Sequence, residues 1–188
     1  GVELEWRSGD PNGLSGWISY ALSFTKAHDV VRGERYWGDY DQRHTLNLFA
    51  QYRWTPTTGV SGRFRCGSNF PLAGYYEQRL EPVSMPDGTP VLDHLGMPIH
   101  DTFHVVSDRR NTERVPAHAR LDVRLDRACV VAKRRLTLFA EITNLLGREN
   151  VRQESQGFWG LPNGTVVYNE PLRSLFPLMP SFGVMIEF

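Results

Sequence analysis

Hydrophobic and polar residues alternate along much of this chain. Residues 2–7 are apolar at Val2, Leu4 and Trp6 and charged at Glu3, Glu5 and Arg7. After a turn-rich Ser-Gly-Asp-Pro-Asn-Gly, residues 14–25 set Leu14, Ile18, Tyr20, Leu22 and Phe24 against Ser15, Trp17, Ser19, Ala21, Ser23 and Thr25. Residues 44–54 set Leu46, Leu48, Ala50, Tyr52 and Trp54 against Thr45, Asn47, Phe49, Gln51 and Arg53. Shorter runs repeat the pattern. Val60, Phe64 and Cys66 oppose Ser61, Arg63 and Arg65; Leu121, Val123 and Leu125 oppose Arg120, Asp122, Arg124 and Asp126; Leu136, Leu138, Ala140 and Ile142 oppose Thr137, Phe139, Glu141 and Thr143. The last segment reads Phe182, Val184, Ile186 and Phe188 on one side, with Ser181, Gly183, Met185 and Glu187 between. A period of two is a strand with unlike faces. The pattern predicts about seven strands of about ten residues.

Alternation alone fits three architectures. A β-sandwich, a soluble lipocalin-type barrel and a membrane barrel all have one apolar and one polar face per strand. Three features favour the membrane barrel. The strands match the roughly 9 to 11 residues that a tilted strand needs to cross a bilayer. Opposite charges crowd the polar face, as at Arg120, Asp122, Arg124 and Asp126, which suits a water-filled lumen. Connections alternate in length: residues 8–13, 55–58 and 127–134 are short, whereas 26–42, 70–114 and 145–179 are long. Outer-membrane barrels have short periplasmic turns and long external loops. The expected fold is therefore all-β: an antiparallel, up-and-down transmembrane barrel segment, about seven strands of a larger barrel. An odd number of strands leaves Phe188 at the periplasmic rim.

Composition agrees with this picture. Aromatics make up 12% of the 188 residues and glycines number 17, which suits strands and turns. No apolar run approaches the ~20 residues of a helical span. Zero net charge gives no electrostatic case for nucleic acid. Gly1-Val2-Glu3-Leu4 is no signal peptide, so a piece of a longer chain, or the mature part of a precursor, is expected.

The ordered set of segments resembles the C-terminal barrel portion of TonB-dependent outer-membrane receptors. The residues that carry the resemblance are GVELEWR, GLSGWISYALSFTKAHD, DQRHTLNLFAQYRWTP, RLDVRLDR, RLTLFAEITNLLGRENV and FPLMPSFGVMIEF, nearly end to end. Glu141, Thr143, Asn144 and Leu145 after an alternating strand, and the terminal Phe188, are typical of that family. The resemblance implies a barrel of about twenty-two strands, closed by a plug domain. It implies uptake of a scarce nutrient, often a ferric siderophore, energised through TonB across the outer membrane of a Gram-negative bacterium. Residues 1–188 would be the C-terminal wall, with the plug, the TonB-contacting part and the other strands lying outside this chain. Phe182, Val184, Ile186 and Phe188 would face lipid and signal to the barrel-assembly machinery. A passive porin or small structural barrel is the alternative, followed by a soluble sandwich that binds a ligand.

Candidate contact residues for a small molecule or metal chelate fall in the long connections. Tyr36, Trp37, Tyr40, Tyr75, Tyr76 and Arg79 combine aromatic faces with charge, suited to an anionic or aromatic ligand. His94, His100 and His104 stand near Asp93 and Asp101, but their spacing matches no rigid ligand scaffold, so neither metal nor cofactor is expected. Trp6, Tyr20, Tyr52 and Trp54 lie on apolar faces and read as an interfacial belt. Arg63, Arg65, Arg120 and Arg124, with Asp122, Asp126 and Glu141, face the lumen. Their charges are expected to pair across strands. Asn163-Gly164 reads as the tip of a hairpin in the last external loop. Nothing resembles a nucleophile elbow or a paired-carboxylate site, so no enzyme is expected.

Cys66 and Cys129 fall on distant parts of the wall and have no Cys-x-x-Cys spacing. Both are predicted to react with a thiol reagent without prior reduction. Protection of both until a reductant is added would overturn the strand layout.

Overall fold

The computed structural model describes residues 1–10, 12–152, 157–160, 166–169 and 173–187. In chain order, β1 (Val2–Gly9) leads to β2 (Leu14–Leu22), and β3 (Lys26–Asp29) and β4 (Glu34–Trp37) make a small hairpin. β5 (His44–Thr55) and β6 (Thr58–Gly67) follow, then β7 (Tyr76–Pro82) and β8 (His100–Val106). β9 (His118–Val131) and β10 (Arg134–Thr143) form the next long pair. Beyond them come β11 (Asn150–Arg152), β12 (Gly157–Gly160), β13 (Val166–Asn169), β14 (Arg173–Leu175) and β15 (Met179–Glu187).

Seven of these strands pair in the order β1-β2-β5-β6-β9-β10-β15, antiparallel throughout. They are the seven that the alternation predicts. Together they form an up-and-down meander that does not close into a barrel. Among the described residues, β1 and β15 each keep one edge without a partner strand.

The register turns seven alternating strands into two continuous faces. Leu4 lies opposite Tyr20, Tyr20 opposite Leu46, Leu46 opposite Cys66 and Cys66 opposite Ala119. Farther along, Val60, Leu125, Ala140 and Phe182 make a second apolar row. The other face carries rows such as Gln51, Ser61, Arg124, Glu141 and Ser181. A slip of one residue would exchange the faces, so the pattern holds the register. Cys66 and Cys129 are free, and their neighbours on β9 and β10 place them ten residues apart along β9, about 33 Å.

No second sheet covers the apolar face among the described residues. Leu4 is 64% exposed, Trp6 63% and Phe182 89%, and Val184 and Ile186 are also exposed. A β-sandwich would place a second sheet over this face. Phe188 lies outside the described residues. The buried apolar side chains instead sit among the connections, at Leu72, Tyr76, Val105 and Val115.

The short turns lie at one rim. Ala132 and Lys133 join β9 to β10 with φ of 50° and 65°, the backbone of a type I′ hairpin turn. They extend both strands past the predicted limits, because the apolar Cys129-Val130-Val131 run hides the alternation there. On the charged face, Gly183 faces Phe139, and a Cβ at Gly183 would come within 2.6 Å of that ring. The glycine lets Phe139 lie across β15, and the Arg124 guanidinium covers it at 4.0 Å.

The long connections depart from the expectation of irregular loops. The first holds the β3–β4 hairpin; the second and third contribute a four-stranded sheet in the order β12-β13-β8-β7. Between β7 and β8 the chain makes two eight-residue lobes, each ending in Gly-x-Pro followed by Val91 or Ile99. Val91 N–H donates to Val83 O, Ile99 N–H to Val91 O, and Val83 N–H to Ile99 O, each at 2.8 Å. This closed ring of backbone bonds orders a stretch that has no hydrophobic period. β12 and β13 pair as a hairpin, and the predicted Asn163-Gly164 tip lies outside the described residues.

Where β10 ends, Asn144 is fully buried at φ 53°. Its side-chain amide donates to Arg148 O at 3.0 Å and Phe176 O at 2.9 Å, and its N–H donates to Asp122 Oδ1 at 2.9 Å. Replacing Asn144 with Ala removes both amide donations, leaving Arg148 O only the longer bond from Asn150 at 3.3 Å, and is expected to destabilise the fold by about 1–3 kcal/mol. Denaturant titration checks this. An unchanged midpoint would remove Asn144 from the set of residues that hold the rim.

Candidate functional site

The three long connections meet above one end of the sheet, and buried polar groups tie the first two together. Asp41 is fully buried. Its carboxylate accepts from the Thr25 N–H at 2.6 Å, pairs with Arg114, and has Arg43 at 3.4 Å. Asn111, also buried and at φ 57°, donates to Trp37 O at 2.6 Å and Asp39 Oδ1 at 2.7 Å, and accepts from the Gly74 N–H at 2.9 Å. Arg110 adds a two-oxygen pair to Asp39 at 3.2 Å and lies over the Tyr36 ring at 4.6 Å. One terminal nitrogen shared between both carboxylate oxygens makes this a charge-assisted contact.

Beneath these connections, at the outer end of the charged face, lies a cavity of about 640 Å³. Arg65 and Arg120 form its floor on neighbouring strands, directly opposite one another. Asn69, Phe70 and Val115 come from the second connection, Tyr40 and Gln42 from the first, and Phe176 from the third. His118 begins β9 beside the two arginines. Arg120 is held in place: its Nε donates to Asp122 Oδ1 at 2.7 Å, and its guanidinium lies 5.5 Å from the Phe176 ring centre. Tyr40 is exposed at the mouth and meets Phe70 edge-on at 6.1 Å. The volume falls in the range typical of small-molecule pockets.

The loop residues named from sequence do not converge on one site. Tyr40 alone among them lines the cavity. Trp37 lies between Lys26 at 4.7 Å and Arg43 at 4.2 Å and its carbonyl accepts from Asn111, and Tyr75 bonds to Arg32 and Glu34, so both help to join the connections. Tyr76 is buried beside Leu72. Arg79 pairs with Glu77 on its own strand. His94 sits in the second lobe of the β7–β8 connection and His100 opens β8, where its ring bonds to Pro98 O at 3.0 Å. His104 pairs through its backbone with Gln78 and Tyr168. Among the described residues no three His, Cys, Asp or Glu side chains come together as a metal site.

The lumen-facing set does share one face. Its ion pairs, expected across strands, run mostly along β9: Arg120 to Asp122 and Arg124 to Asp126, both at 2.7 Å. Only Arg124 to Glu141, at 3.7 Å, crosses to a neighbour among these. Residues two apart on one strand share a face, so a long arginine can fold back on the next carboxylate. Arg63 and Arg65 make no ion pair among the described residues. Phe70, His118 and Phe176 are missing from the sequence reading. His118 was legible, being two residues before Arg120 on the same face. Phe70 and Phe176 lie in stretches without a period and carry no such signal.

No protein-family model, curated protein or solved structure matches the chain.

Burial alone would raise the Asp41 pKa, but the Thr25 N–H and the Arg114 guanidinium, with Arg43, hold it below the ordinary value. A depressed carboxylate pKa stabilises the folded form above the unfolded value of about 3.9 and loses that contribution as pH falls through the folded one. The junction of the first two connections is thus expected to stay shut from pH 7 down to about 4 and to loosen below. Asp41→Asn should loosen it at neutral pH by about 2–3 kcal/mol, since Arg114 keeps some contact with water. Hydrogen exchange at the Thr25 and Asn111 amides measures both effects. Equal protection in the variant and the parent at pH 7 would show that the Asp41–Arg114 pair does not hold the junction.

Proposed function

We propose that the chain is the C-terminal wall of a TonB-dependent receptor in the outer membrane of a Gram-negative bacterium, a transporter and not an enzyme. Its task in this reading is active uptake of a scarce nutrient, such as a ferric siderophore. One observation carries the reading: a seven-strand meander has an uncovered apolar face backed by a charged one. An exposed apolar surface of that extent is costly in water and favourable against hydrocarbon chains. The charged face matches a hydrated lumen. Short turns at one rim and folded connections at the other match a wall with a periplasmic and an external side.

Two open edges bear on the same reading. Backbone N–H and C=O groups cannot stay unpaired in a bilayer, so further strands must continue from β1 and β15. The proposal assigns those strands, the plug and the contact with TonB to parts of the protein outside this chain. It gives the C-terminal strand a role in recognition by the barrel-assembly machinery.

Spin labels placed singly at positions 45–52 of the full-length protein, with Cys66 and Cys129 replaced by serine, test the membrane placement. Oxygen, which concentrates in lipid, is expected to reach positions 46, 48, 50 and 52; an aqueous nickel complex should reach 45, 47, 49 and 51. Equal access to both reagents at both parities, or an even parity shielded from both, would end the membrane reading. A protonophore separates the transporter from a passive pore: uptake of the nutrient should stop, and persistence would remove energy coupling.

A further inference from the structure

Arg65 and Arg120 present an electrostatic problem. They are directly opposite residues on one face of β6 and β9, so their charges repel at close range. Arg120 is partly compensated by Asp122, whereas Arg65 has no carboxylate within ion-pairing distance among the described residues. Both line the same cavity, and His118 stands beside them. Asp39, the acid on the lining, is already engaged by Arg110 and Asn111 on the far side. The floor therefore sets two cations against the one carboxylate of Asp122, and the Arg65 charge has no carboxylate at ion-pairing distance among the described residues.

The walls have a different chemistry. Phe70, Val115, Val151, Leu175 and Phe176 are apolar, and Tyr40 stands at the mouth. The Arg120 Nε is committed to Asp122, which leaves its terminal NH2 groups available for an anion. A guanidinium presents paired N–H donors that match the two oxygens of a carboxylate. From this geometry we infer that the cavity is a binding site for a small carboxylate with a flat apolar body, its charge on Arg65 and Arg120 and its ring between Phe70 and Phe176. The inference does not depend on membrane transport, because every lining residue belongs to this chain.

The test uses the full-length protein in lipid nanodiscs and two probes of like shape, 2-naphthoate and the neutral 2-naphthalenemethanol. Equilibrium dialysis against empty nanodiscs corrects for partition into lipid. Naphthoate is expected to bind at least about tenfold more tightly than the alcohol. Arg65→Gln and Arg120→Gln should each weaken naphthoate by about tenfold or more and leave the alcohol unchanged. Arg63→Gln, on the same face but outside the cavity, should change neither. Arg65→Lys provides a second variant that keeps the charge; it should bind more tightly than Arg65→Gln and less tightly than the parent. Equal binding of the two probes overturns the proposal. So does a loss of affinity in Arg63→Gln as large as in Arg65→Gln, or no binding to the parent, as when another part of the protein fills the cavity. A protein that passes the spin-label test but fails this one loses the binding site alone.

Discussion

A single broad sheet with one greasy side, left uncovered among the described residues, sets the terms for everything else in this molecule. Backbone pairing satisfies the interior strands of the meander, and the register keeps every apolar row on the same side. In a water-soluble domain such a face would pack on a second layer, because burial of apolar area is the main favourable term in folding. Here the few buried apolar side chains lie among the connections, and the sheet contributes none of them. Stability of this wall in isolation is therefore not a matter of a core. It depends on what medium touches Leu4, Trp6, Phe182 and their neighbours.

The opposite face obeys different physics. Its charges are spaced for short pairs along β9, and its aromatics make contacts on the same face, Trp17 with Phe49 and Phe139 with the Arg124 guanidinium. Gly183 gives room to the Phe139 ring. Only near the outer rim does the face become concave, where the connections fold over Arg65 and Arg120. Polar groups buried at Asp41, Asn111 and Asn144 brace that overhang. Each has partners from more than one segment, so the rim behaves as a joined unit, not as three separate loops.

Much of the architecture could be read from residue order. Strand number, strand direction and the identity of both faces follow from a period of two, because a pleated backbone sends successive side chains to opposite sides. The shared face of the charged residues, Arg63 to Glu141, was legible for the same reason. The connections were not. Their strands are short; Tyr76 to Pro82 does alternate, with Glu77, Arg79 and Glu81 against Tyr76, Gln78, Leu80 and Pro82, but a glutamine and a proline on the second face weaken the period. Their order comes from backbone rings such as Val83, Val91 and Ile99, and from the αL turn at Asn111, none of which alters hydrophobic spacing.

The candidate site divides along the same line. Arg65, Arg120 and Tyr40 could be named from sequence, but not as members of one cavity, since they stand on β6, on β9 and in the connection before β5. Tyr76 shows the reverse case: it could be named from sequence as aromatic and in a connection, but its packing against Leu72 could not. Local alternation by itself determined an all-β chain, its seven wall strands and which side of each is apolar, because that information is carried by neighbours in sequence. Tertiary structure alone decided which strands stay open at the edges, how the connections lock over the rim and which charges share a pocket. Those depend on contacts between residues as far apart as Asp41 and Arg114, and no local pattern encodes such distances.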